Sequence, residues 1–305
     1  MFFSKTKITK IKWAIVLILF LANIFVWRAV FLAEHGGKLT LAMLDIGQGD
    51  AIFIQDSVGH QILIDGGPDQ KILARLPALM PVSDRSLDLL IVSHPHADHI
   101  AGLVEILNRY EVGAVMEAGA VYSSAIYAEW HRLLAEKKIP IIPAFRGEKI
   151  SLARGAALEI LAPFEDWRGR SAKEIHDSMV VARLTVNGRG LAMLTGDMET
   201  DLEDKLIASA NESENKQSLE AIILKVGHHG SKTSSGRNFV QKVSPSYAVI
   251  SVGTDNRYGH PYPATLATFE NLNIKTLQTN QTGTIVFEIS DKNKNQPLQP
   301  VFLES

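Results

Sequence analysis

Residues 13–27 are almost wholly apolar, and 29–33 continue the run past Arg28. As a helix, this stretch is about 31 Å long at roughly 1.5 Å per residue, enough for a bilayer core. From residue 38 the pattern changes. Short apolar or alternating runs of strand length recur at 39–46, 51–55, 61–64, 87–92, 114–117, 140–143, 157–161, 180–186, 191–194, 221–226, 247–252, 275–278 and 283–289. Helical spacing appears at 70–80, 100–107, 125–137, 199–210, 237–243 and 263–272. The stretch 211–218 reads as a polar loop. No Gly/Ser/Pro linker interrupts 38–290. The pattern therefore predicts an anchor over 1–36, one α/β (α+β) domain over 37–290 and a flexible tail over 291–305.

Charge gives the first segment a direction. Lys5, Lys7, Lys10 and Lys12 precede it. The positive-inside rule then puts the N-terminus in the cytoplasm and the domain outside, as a single-pass protein of the cell membrane. A cleaved signal peptide is the rival reading, but Phe31-Leu32-Ala33 makes a poor small-x-small cleavage site.

Composition narrows the chemistry. The formal net charge is −2, so no global field draws the chain to nucleic acid; any such contact needs a local patch. Cysteine is absent, so a metal site must be built from His and carboxylate.

Ser93-His94-Pro95-His96-Ala97-Asp98-His99 supplies such donors at the carboxyl end of a buried strand, opening a helix. Open α/β sheets place their sites there, and imidazole with carboxylate suits a divalent ion. His94 and His96 are two apart and point the same way, while Asp98 and His99 can face a second ion. Three later strand ends add candidates. Asp197 follows Leu194-Thr195-Gly196 and can bridge two ions; alone it would read as a helix cap. Gly227-His228-His229-Gly230-Ser231 offers one metal ligand, while the other imidazole and the backbone amides hold an anion. Neighbours leaving a strand point apart, so we expect His228 to bind metal and His229 to act in turnover. His260, in Arg257-Tyr258-Gly259-His260-Pro261, is a candidate for substrate binding or proton transfer. Asp65 can orient a ligating imidazole from behind. Asp45, in Asp45-Ile46-Gly47-Gln48-Gly49-Asp50, is a further candidate in that outer role.

These motifs, in this order, resemble the metallo-β-lactamase fold superfamily. Asp45-Ile46-Gly47-Gln48-Gly49-Asp50, Leu224 to Ser231, Ile250-Ser251-Val252-Gly253 and Arg257 to Pro261 are similar to the soluble metallo-β-lactamase-like domain of ComEC-type competence channel proteins. The resemblance covers about residues 39–289. It implies an αββα four-layer sandwich preceded here by one transmembrane helix. It also implies a hydrolase, proposed to degrade the non-transported DNA strand at the cell surface. With one candidate membrane helix, this chain is no channel itself; a separate channel protein is an implied partner. Superfamily enzymes carry a further metal-binding His before the bridging Asp; His176-Asp177-Ser178 stands there, and either His176 or Asp177 is the candidate.

The ligand pattern implies two divalent ions, Zn or Mn. His94 and His96 hold one; Asp98, His99 and His228 (or His229) hold the other; Asp197 bridges. Asp98, His229 and His260 are the catalytic candidates. Ser231, Lys232 and Arg237 are placed to grip substrate phosphate. The first reading is phosphodiester hydrolysis of DNA, single-stranded by preference. The alternatives are a hydrolase of a small lactam, lactone or thioester, and a non-catalytic DNA-binding module.

Overall fold

Alternation along the strands decides the layers. Leu41 and Met43 turn to one face of their sheet, while Ala42 and Leu44 turn to the other, and both faces are buried. A sheet covered on both sides needs two partners. The computed structural model supplies them, and describes residues 5–35, 37–81, 83–172, 175–212, 218–290 and 298–304.

Six strands come first: β1 (Lys38–Met43), β2 (Ile52–Gln55), β3 (Gln61–Ile64), β4 (Ser86–Ile91), β5 (Glu111–Glu117) and β6 (Ile141–Pro143). Seven more form the second sheet: β7 (Lys149–Ser151), β8 (Ala156–Ala162), β9 (Val181–Val186), β10 (Arg189–Leu194), β11 (Ile223–Lys225), β12 (Tyr247–Ile250) and β13 (Lys275–Gln278). Then β14 (Thr284–Ser290) and β15 (Pro300–Leu303) return to the first, whose order is β15-β14-β1-β2-β3-β4-β5-β6. The second runs β13-β12-β11-β10-β9-β8-β7. From β3 to β6 and from β10 to β13 the neighbours are parallel.

The two sheets pack face to face over a shared core that includes Leu41, Met43, Ile54, Leu158, Ile160, Leu184 and Val249. Outside the first sheet lie α3 (Ala97–Arg109) and α4 (Ala125–Lys137), which follow α1 (Lys5–His35) and the short α2 (Ile72–Arg75). Ile100, Leu103, Trp130 and Leu133 from α3 and α4 meet Phe53, Leu63 and Leu90. Outside the second sheet lie α5 (Thr200–Glu212), α6 (Arg237–Val243) and α7 (Pro263–Asn271), with α8 (Thr279–Thr282) after them. Leu202, Leu206, Phe239 and Phe269 meet Met193, Leu224 and Ala248. This is the four-layer αββα sandwich.

Three elements differ from the sequence pattern. The helix expected over 70–80 breaks after Arg75 into a 3₁₀ turn, Leu76–Ala78, because Pro77 has no N–H to continue the ladder. The short exposed β7 has too little apolar content to read as a strand. The tail expected over 291–305 contains β15, which pairs antiparallel with β14 (Thr284 opposite Leu303) as an edge strand. Its Pro300 is tolerated because it opens an edge strand. Residues 291–297, the core of that tail reading, and 213–217, within the expected loop, lie outside the described residues, as do the side chains of 28–35.

Helix α1 is apolar all round, with Trp13, Phe20, Phe25 and Trp27 exposed. Its segment Lys10–Trp27 is long and apolar enough to cross a membrane, and none of it is buried against the domain. A helix hydrophobic on every face belongs in lipid or a partner.

Candidate metal centre

Parallel pairing gathers the chemistry at one edge. Aligned parallel strands end together, so Asp65 after β3 and Ser93-His94 after β4 emerge side by side. In the second sheet, Asp197 after β10, His228-His229 after β11 and Ser251 after β12 do the same. The two edges touch. Val180 N–H donates to Ser93 O (2.8 Å). Gly196 has φ +52°, and a Cβ there would sit 3.0 Å from Ser93 Cβ, so only glycine allows this approach.

Three donor groups result among the described residues: Asp50, Asp65 and His99 make one, and the other two share a carboxylate. Of those two, His94, His96, His176 and Asp197 form one; Asp98, His99, His229 and Asp197 form the other. Within each, the donor atoms all lie within 4.8 Å of one another. Asp197 belongs to both. Its Oδ2 lies 3.3 Å from His99 Nε2 and 3.7 Å from His94 Nε2, and its Oδ1 lies 3.5 Å from His229 Nε2. His229 Nε2 also lies 3.5 Å from Asp98 Oδ2.

Outer residues set the tautomers. Asp65 Oδ2 lies 2.8 Å from His99 Nδ1, and its two oxygens also accept Ser93 N–H and Oγ–H at 2.8 and 2.6 Å. Ser251 O lies 3.0 Å from His229 Nδ1. With Nδ1–H spent outward, both Nε2 lone pairs face the centre. His99 Nε2, His229 Nε2, His176 Nε2 and Asp197 Oδ1 are buried, and none finds a hydrogen-bond partner among the described residues. Converging buried lone pairs without donors are what a divalent cation satisfies, so this donor set fits a metal.

The charges agree. Burial, with His99 nearby, holds the His94 imidazole well below its ordinary value; burial also lowers His96 and His176. All three stay neutral, as ligands must. Burial alone would lower His99, but Asp197 and Asp65 outweigh it and raise it well above the ordinary value. Burial would raise Asp197, yet His99 and His229 hold it well below the carboxylate range. Against the same penalty of burial, His229 and His99 hold Asp98 at about 2.

The sequence pattern of the metallo-β-lactamase superfamily matches residues 44–254. The chain belongs to this superfamily. Among curated relatives of this metallo-β-lactamase-fold chain, ComE operon protein 3 of Bacillus subtilis is 29% identical over 271 residues, covering 82% of this chain and 33% of the relative. Competence protein ComA of Neisseria gonorrhoeae is 29% identical over 276 residues, covering 90% and 35%. The chain thus spans about a third of the length of these relatives. Among solved structures, the metallo-β-lactamase fold protein YhfI of Bacillus subtilis covers 82% of this chain and 100% of its own at TM-score 0.54 and 12% identity. Igni18, a metallo hydrolase of Ignicoccus hospitalis, covers 83% and 100% at TM-score 0.51 and 16% identity. Both share the fold.

Within this metallo-β-lactamase site, several expectations shift. His229, not His228, joins the donor group. The alternation argument fails because both residues sit in left-handed turns, with φ of 47° and 54°. His228 lies at the rim: its Nε2 is 3.9 Å from Asp197, and its Nδ1 is 3.2 Å from Glu199 Oε1. His176 joins His94 and His96, whereas Asp177 turns to Lys205 at 4.0 Å. Asp45 is outside the site; it pairs with Arg75 at 3.7 Å. Ser231 is buried, and its hydroxyl is engaged by Thr233 at 3.0 Å, so it is not open to phosphate. Lys232 is exposed, 5.9 Å from the Tyr262 ring, and His260 stands 5.8 Å from His228. Arg237 opens α6 exposed, and no contact among the described residues links it to the donor groups.

Four groups escaped the sequence pattern. Glu199 joins His228 to Thr233 Oγ1 (2.7 Å). Glu203 accepts Ser235 N–H (2.5 Å) and Gly236 N–H (2.8 Å), fixing the loop after the paired histidines; burial raises it to about 7. Asp50 and Lys225, both fully buried, form an ion pair at 2.8 Å behind His229, whose Nδ1 is 3.5 Å from Asp50. A carboxylate one residue after Gly49, and a lysine in an apolar strand, were the signals available.

Proposed function

We propose that the chain is a membrane-anchored, metal-dependent phosphodiesterase that cleaves DNA outside the cytoplasm. The observation that carries this reading is the pair of donor groups sharing Asp197. A shared carboxylate suits two divalent ions, zinc or manganese, side by side. When bound, such a pair supplies Lewis-acid charge at phosphoryl oxygens and a water acidified toward neutrality.

The chain's own residues do the rest. Asp65 and Ser251 aim His99 and His229. Asp98, at about 2, stays a carboxylate and serves as a ligand rather than a proton carrier. His229 is committed to the centre, so the rim imidazoles His228 and His260 are the proton carriers we assign. Burial, with His228 nearby, lowers His260, leaving it neutral and able to accept a proton. Lys232 meets phosphate as an exposed cation. DNA as substrate is supported by the competence proteins named above and by Recombination protein 2 of Haemophilus influenzae, 28% identical over 231 residues. A separate channel protein is the partner we propose with it.

The test is one activity screen on the full chain in detergent, loaded with Mn²⁺ or Zn²⁺. Single-stranded DNA and bis(p-nitrophenyl) phosphate should both be cleaved, and a chelator should stop both. A lactam, lactone or thioester turned over far faster than either diester would make the small-molecule hydrolase the right reading.

Location has its own test. A reporter fused after Ser305 should be active outside the cytoplasm, and the protein should stay with membranes through an alkaline wash. A shortened soluble chain would mean the first segment is cleaved.

A further inference from the structure

A continuous band of aromatic rings crosses the mouth of the metal centre. Tyr122 lies 5.6 Å from His96, His96 5.2 Å from His176, His176 5.3 Å from His228, His228 5.8 Å from His260, and His260 5.8 Å from Tyr258. The histidines form the floor. The two tyrosines stand at opposite ends and belong to no donor group.

Both ends are braced. Tyr122 meets Tyr127 edge-on at 6.1 Å, and the Tyr127 hydroxyl donates to Ala120 O (2.8 Å). Tyr258 stacks on His260 at an interplanar angle of 25° and leaves 62% of its surface in solvent. Asn256 clamps that loop: its Nδ2 donates to His260 O (2.8 Å), and its Oδ1 accepts His260 N–H (3.0 Å). Arg257, next to Tyr258 in the chain, is exposed, as is Lys232, which lies 5.9 Å from the Tyr262 ring. An exposed ring held rigidly beside cations is how proteins seat the bases of an unpaired strand.

We infer that a single DNA strand crosses the centre between Tyr122 and Tyr258, which stack bases on either side of the scissile phosphate. This rests on the phosphodiester reading above and adds the residues that select the substrate. A duplex is excluded by the same chemistry, because its bases are already stacked on each other.

The test uses the full chain in detergent. Fluorescence anisotropy measures binding of a labelled oligothymidine in the presence of chelator, and steady-state kinetics follow with metal restored. Tyr122→Ala and Tyr258→Ala should each weaken strand binding about tenfold, and Tyr258→Phe should stay within about twofold of the unaltered chain. The loss should enter the Michaelis constant for the strand. It should exceed the loss on bis(p-nitrophenyl) phosphate, which has no bases to stack, by about fivefold or more. Unchanged strand affinity in both alanine variants would overturn the inference. So would equal losses on both substrates, or a Tyr258→Phe loss as large as that of alanine. Binding is read without turnover. A protein that cleaves no diester but still loses strand affinity in the tyrosine variants therefore refutes the phosphodiester reading alone.

Discussion

Asp197→Ala should empty the whole centre rather than half of it. Asp197 is the one side chain common to the two four-residue donor groups. Losing an outer partner of a metal ligand weakens binding by about 10–100-fold, so losing a shared ligand should exceed about 100-fold for each ion. Turnover should fall with it. The carboxylate also lies 3.3 Å from His99 and 3.5 Å from His229, so its removal takes from two buried imidazoles the anion they share. Asp65→Asn should fall within the smaller, outer range, because it acts through His99. Asp45→Asn should leave metal content intact, because Asp45 pairs with Arg75 away from the centre. Metal content by mass spectrometry checks all three. An Asp197→Ala protein with full metal content would reduce Asp197 to a helix cap.

Lys225→Met should cause the largest loss of stability. Lys225 and Asp50 are fully buried and 2.8 Å apart, and Lys225 Nζ also donates to Val226 O (2.9 Å). Removing one member of a buried pair leaves the other charge without compensation, at a cost of about 3–5 kcal/mol. For a domain of this size, each kcal/mol lowers the unfolding midpoint by roughly 2–4 °C. The double variant Asp50→Asn/Lys225→Met should recover most of the loss, because no charge is then stranded. Thermal unfolding of the four proteins gives the coupling directly. A Lys225→Met midpoint equal to that of the unaltered chain would mean the pair contributes nothing to folding. Since Asp50 lies 3.5 Å from His229 Nδ1, changing Asp50 also loosens the seat of that imidazole from behind.

The layers were legible because period-2 alternation and buried parallel runs are local properties of the chain. The cluster from His94 to His99 was legible for a related reason: a strand end running into a helix shows in one short window. What failed was conformation that hydrophobic pattern does not encode. His229 takes the place in the donor group expected of His228 because both adopt left-handed turns, where strand alternation no longer applies. Asp45 and Asp50 sit in one motif, and only tertiary contact tells them apart. Gly49 lets the backbone press against α3, where a Cβ would lie 2.2 Å from Asp98 O, and that approach turns Asp50 inward to Lys225. Lys225 is a charged position in an otherwise apolar strand, and burial with Asp50 makes it part of the site's support. Strand β15 was hidden because an edge strand buries too little to show a pattern. Tyr122 carries no signal in sequence, since its place beside His96 depends on how the loop after β5 returns to the edge.

The central claim is that one carboxylate joins two ion sites, and anomalous diffraction from crystals loaded with manganese or zinc tests it most directly. Two peaks should appear about 3.5–4 Å apart on either side of Asp197. One should lie against His94, His96 and His176, the other against Asp98, His99 and His229. A single peak, or a second ion held by His228 in place of His229, would contradict the account.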